Sequence, residues 1–84
     1  GGLMRAALLV DEPAGRIRQL WITGDFFVNP PRMVPDLEAA LKDLPLSDVA
    51  DAIHGFFRAY AVEMLMLSPD DFVALIQDAV APAR

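Results

Sequence analysis

From Leu3 onward the chain alternates. Met4, Ala6, Leu8 and Val10 form an apolar series of one parity, and the other parity, Leu3, Arg5, Ala7 and Leu9, carries the segment's only charge. Successive side chains of a strand point to opposite faces, so this period of two predicts a strand over 3–10. One face should be well buried and the second partly covered. The stretch Asp11-Glu12-Pro13-Ala14-Gly15 has turn chemistry, with Gly15 suited to a positive φ. Alternation resumes in Arg16–Thr23, where Leu20 and Ile22 share one face and Gln19, Trp21 and Thr23 the other. Ile17 falls on the wrong parity for Leu20 and Ile22, which predicts a bulge or a late strand start beside it. Residues 3–23 therefore read as an antiparallel hairpin.

The period then changes. Residues 28–35 contain three prolines and should be irregular, with Asn29 ahead of Pro30 as a candidate cap for an early turn. From Pro35 the spacing is helical: Met33, Leu37, Ala40, Leu41 and Leu44 form a stripe, Asp36, Glu38, Lys42 and Asp43 face away, and Pro45 closes the helix. Glu38 and Lys42 stand four apart, a spacing at which opposite charges pair. Ser47 is a candidate cap for a second helix. Its apolar positions are Val49, Ala52, Ile53, Phe56, Phe57 and Tyr60, opposite Asp48, Asp51, His54 and Arg58. Val62–Leu67 fits either the tail of that helix or a short extended stretch. Ser68-Pro69-Asp70-Asp71 is a strong start signal, with Ser68 as N-cap and Asp71 at the third helical position. A third helix follows, burying Phe72, Leu75, Ile76, Ala79 and Val80. The order β-β-α-α-α predicts an α+β fold: a small antiparallel sheet, led by an N-terminal hairpin, with about three helices packed on one face.

Eighty-four residues are read as one domain, 1–84. A domain this small buries a modest core, yet 55% of its residues are hydrophobic, so some apolar side chains should stay exposed until a partner covers them. Its net charge of −5 is uneven: residues 1–32 hold four arginines against three carboxylates, and residues 33–84 hold three basic side chains against nine acidic ones. An acidic chain repels phosphate backbones, which argues against nucleic-acid binding. The absence of cysteine excludes disulfides, thiolate catalysis and cysteine-ligated clusters, and suits a cytoplasmic protein. A single histidine rules out a histidine-rich metal site. No apolar run approaches the length of a membrane span.

Candidate chemistry is sparse. Asp25 stands between Gly24 and the pair Phe26-Phe27, with no nucleophile or acid in view for it to work with. It reads as a structural brace first, its carboxylate accepting backbone N–H bonds from the turn, and as a partner contact second. Phe26 and Phe27 should anchor the corner, one inward and one outward. His54 reads as part of a solvated helix face, and Asp70 and Asp71 as partners of a helix macrodipole. Ser47 and Ser68 read as caps. Met64 and Met66 are the methionines best placed for a partner surface. No glycine spacing makes a phosphate loop. The chain is expected to bind no cofactor or metal and to hold no catalytic residue.

These motifs together resemble the C-terminal accessory domain, or separate small subunit, of lipoate–protein ligases. The resemblance rests on Gly1-Gly2-Leu3, Arg16-Ile17, Ile22-Thr23-Gly24-Asp25-Phe26-Phe27, Pro30 or Pro31, Leu37-Glu38-Ala39-Ala40-Leu41, and the closing Leu67–Ile76. Lys42-Asp43-Leu44-Pro45 departs from the Lys-Gly expected after the first helix. The resemblance implies a SufE/NifU-like scaffold fold without that group's cysteine chemistry. It also implies a catalytic partner, as domain or subunit, that uses lipoate, ATP and Mg to make lipoyl-adenylate and passes the lipoyl group to an acceptor lipoyl domain. The accessory part would cover the active site, inactive alone. The alternative is a free-standing SufE-like interaction module.

Overall fold

The computed structural model describes residues 3–64 and 67–83. The hairpin forms as the alternation predicts. Strand β1 (Leu3–Asp11) pairs antiparallel with β2 (Arg16–Asp25), Leu3 opposite Asp25 and Asp11 opposite Arg16. Gly15 closes the turn at φ 66°, its N–H donating to the Asp11 carbonyl at 2.7 Å. The parity conflict at Ile17 is resolved by a bulge. Leu9 faces Gln19 but Val10 faces Ile17, so Arg18 is the extra residue, and Ile17 turns inward to complete burial. The strand β2 outruns its expected end by two residues.

A second, two-residue ladder follows: β3 (Val28–Asn29) pairs with β4 (Glu63–Met64). The ambiguous segment after the second helix is thus extended where it is described. Asn29 caps nothing; its side-chain amide donates to Glu63 Oε1 at 3.5 Å. Met66 lies outside the described residues, and Met64 is half-buried against the core.

Helix α1 (Met33–Leu41) starts two residues earlier than predicted and stops short of Pro45. Asp43 adopts φ 69°, a left-handed conformation more usual for glycine. The reversal lays residues 43–46 along the outer edge of β2. Ile17 N–H donates to Leu44 O, Asp43 N–H to Ile17 O and Leu46 N–H to Gly15 O. Met33, Leu37 and Leu41 are fully buried, whereas Ala40 is exposed, a correction to the predicted stripe. Ser47 lies within a 3-10 turn (Leu46–Asp48) and makes no capping bond to α2 (Val49–Ala59). Helix α3 (Pro69–Ala83) opens as its start signal predicts: the Asp71 carboxylate accepts the Ser68 N–H at 2.8 Å.

The helices pack on one face of the hairpin, α1 against β2 and α3 against β1, with α2 touching both other helices. The core is wholly apolar: Ile17, Leu20 and Ile22 from β2, the α1 stripe, Val49 and Ile53, then Phe72, Ile76 and Val80. The opposite face of the hairpin stays open. Arg5, Ala7, Leu9, Trp21 and Thr23 are all exposed, where partial cover had been expected.

Candidate functional site

The Gly24–Phe27 corner is where β2 leaves the hairpin for the second ladder. Gly24 pairs with Met4 at φ 150°, a conformation that side-chain-bearing residues rarely adopt, so a glycine is needed for the strand to twist there. Asp25 ends the strand and is exposed. Among the described residues no hydrogen bond reaches its carboxylate.

The two phenylalanines part company. Phe26 turns inward and meets Phe72 edge-on, ring centroids 6.4 Å apart and planes at 81°. Phe27 turns outward and is 52% exposed. From Phe26 an aromatic series runs through the helices. Phe72 meets Phe57 at 5.4 Å, Phe57 meets Phe56 edge-on at 5.3 Å, and Phe56 stacks on Tyr60 at 4.8 Å. Tyr60 Oη then donates to Asp36 Oδ2 at 2.6 Å, tying this series to α1. That hydrogen bond, followed by desolvation and the Asp36 charge, raises the Tyr60 pKa above the ordinary tyrosine value, with Arg32 opposing. Among the described residues the corner is anchored through packed rings.

Two further large apolar side chains stand outward on the open face of the hairpin. Trp21 is 45% exposed and Leu9 55%, diagonal neighbours on the open hairpin face, Trp21 being paired with Ala7 and Leu9 with Gln19. Their signal was in the alternation, which put both opposite the core series. With Phe27 they are the large exposed apolar side chains among the described residues.

His54 departs from the solvated-face reading. Its Nε2 lies 2.7 Å from Asp70 Oδ1, linking α2 to the first turn of α3 across a partly exposed contact. Asp70 and Asp71 thus split their roles between an interhelical pair and a helix cap. Among the described residues no three histidine, aspartate or glutamate side chains converge on a point that would hold a metal ion. No described helix is long and apolar enough to cross a membrane.

The chain is thus a small hairpin-led α+β domain with large apolar side chains exposed on its surface. No family model matches the chain, and neither does any curated protein. A solved structure does: a chain from an archaeal lipoylation system of Thermoplasma acidophilum, described as a bi-partite lipoate protein ligase and its E2 lipoyl domain. It is 31% identical, with a TM-score of 0.80, over 88% of this chain and 81% of that one. The present chain belongs to the lipoate–protein ligase family, as its accessory domain or small subunit, and so to the proteins of lipoylation.

Proposed function

We propose that this chain serves ATP-dependent activation of lipoate by covering the active site of a catalytic ligase polypeptide while lipoyl-adenylate forms. In this reading lipoate, ATP and Mg are held by the catalytic polypeptide in the cytoplasm. The acceptor lipoyl domain is met only after the cover moves. The observation that carries the proposal is the match in fold and sequence to a chain of a bi-partite ligase system. The exposed Phe27, Trp21 and Leu9 give it a surface to work with.

The physics of a cover requires no catalytic side chain. An acyl-adenylate is readily hydrolysed, and a lid that excludes water protects it. The same exclusion strengthens every electrostatic contact to the phosphates beneath. What a lid needs is shape, stiffness and apolar surface at its rim. The packed rings behind Phe26 supply the stiffness and the Gly24 corner sets the direction of the outward residues.

The test is reconstitution. The chain alone should neither adenylate lipoate nor transfer it, and adding it to its catalytic polypeptide should raise the adenylation rate at least tenfold. An adenylation rate indifferent to this chain, at concentrations where the two bind, would refute the proposal. Turnover by the chain alone would refute it as well.

A further inference from the structure

We infer that the outer edge of β1 is the seat for an extended segment of the catalytic polypeptide, which adds to the hairpin as a third strand. The inference deepens the proposed function and rests on it for the identity of the partner.

Hydrogen-bond geometry fixes which backbone groups are free. Ile22 N–H donates to the Glu38 carboxylate at 2.6 Å and so points away from β1. In an antiparallel ladder, a residue whose N–H points outward sits in a non-hydrogen-bonded pair, and its opposite residue points outward too. Ala6 is opposite Ile22, so the N–H and C=O of Ala6 face away from the hairpin, and by alternation those of Met4 and Leu8 do the same. Among the described residues none of these groups has a hydrogen-bond partner.

The two edges of the hairpin are treated differently. The outer edge of β2 is met by the chain itself at several points, through Leu46, Leu44 and Asp43 near the turn and Glu38 at Ile22. Among the described residues β1 has no comparable hydrogen-bonded cover; the strand holds no proline, and its only charges are Arg5 and the terminal Asp11. Natural sheets blunt a bare edge with such devices or pair it. Burial follows the same division. Ile17, Leu20 and Ile22 on β2 are buried, but Met4, Ala6, Leu8 and Val10 on the same face of β1 are only half-buried. An added strand would satisfy the backbone and complete that burial in one step, the mode of recognition known as strand addition. A second copy of this chain is the poorer occupant, because each copy carries a net charge of −5.

Amide hydrogen exchange on the wild-type chain, free and bound to its catalytic polypeptide, reads the proposal directly. The amides of Met4, Ala6 and Leu8 should exchange rapidly in the free chain and at least tenfold more slowly in the complex. Ala6→Pro removes an N–H the hairpin does not use, so it should preserve the free chain's melt and weaken the complex at least tenfold. Ala7→Pro, which removes a hairpin hydrogen bond, is the control that should lower the melt. A complex in which those amides stay unprotected and Ala6→Pro binds like wild type would overturn the strand while leaving the cover function standing. Protection that rises with concentration of the chain alone would assign the edge to a second copy and overturn it too. If no complex forms, the partner itself is removed and both proposals fall.

Discussion

Tyr60 and Asp36 show how much one hydrogen bond can organise. The phenol ends the aromatic series that begins at the Phe26 corner, and its O–H reaches the α1 carboxylate. Because the folded state favours the protonated phenol, its pKa lies above the unfolded value. The sign follows from linkage: the contribution to stability is fully present below the ordinary tyrosine pKa of about 10 and is lost as pH rises through the folded value. Tyr60→Phe should therefore flatten the alkaline limb of a melting-temperature profile while barely changing its slope at neutral pH. An alkaline limb unaltered by the substitution would show that the bond does not form in solution. Asp43 is the other residue whose conformation matters. It occupies a left-handed position usually filled by glycine, and aspartate tolerates this better than most side chains.

At the scale of elements, the informative contact is the one α1 makes with β2. Sequence spacing pairs Glu38 with Lys42, a surface interaction worth a few tenths of a kcal/mol. The structure spends Glu38 on the Ile22 N–H instead. A carboxylate accepting from a partly buried backbone donor contributes more, and its loss strands that donor at a cost of about 1–3 kcal/mol. Glu38→Ala should lower the melting temperature accordingly, Glu38→Gln should retain part of the loss, and Lys42→Ala should do little. Equal effects for Glu38→Ala and Lys42→Ala in thermal melts would favour the helix-surface pair. The bulge at Arg18 belongs to this scale too. It was legible because Ile17, Leu20 and Ile22 cannot share a face without an extra residue between them. The Asn29 and Ser47 caps were misread for a common reason. A capping side chain is recognised by residue type, but whether it caps depends on where the helix begins, and Met33 and Val49 begin theirs after turns that satisfy the backbone in other ways.

Over the whole molecule, one side is finished and the other is not. Helices close the core face of the hairpin, while Leu9, Trp21 and Phe27 remain outside. If these side chains serve binding and not folding, truncating them should separate the two. Phe27→Ser should change stability by no more than about 0.5 kcal/mol, as for other exposed positions. It should also weaken binding to the catalytic polypeptide by roughly tenfold or more, as expected of an aromatic anchor. A melt lowered by several degrees with binding intact would make Phe27 a core residue instead.

Alternation, helical stripes and start signals are local properties, and they sufficed for the hairpin, its bulge, the three helices and the start of the third at Ser68, where the Asp71 carboxylate makes the cap. The Gly-Asp-Phe-Phe corner was visible for the same reason: a strand, a glycine and two rings in succession leave few local alternatives. Tertiary structure decided what depends on neighbours distant in sequence. It chose the Ile22 amide for Glu38 over Lys42, Asp70 for His54 over solvent, and Phe26 over Phe27 for the interior. Among the described residues it also left the outer edge of β1 without a hydrogen-bonded partner, since an edge exists only once other segments have taken their places.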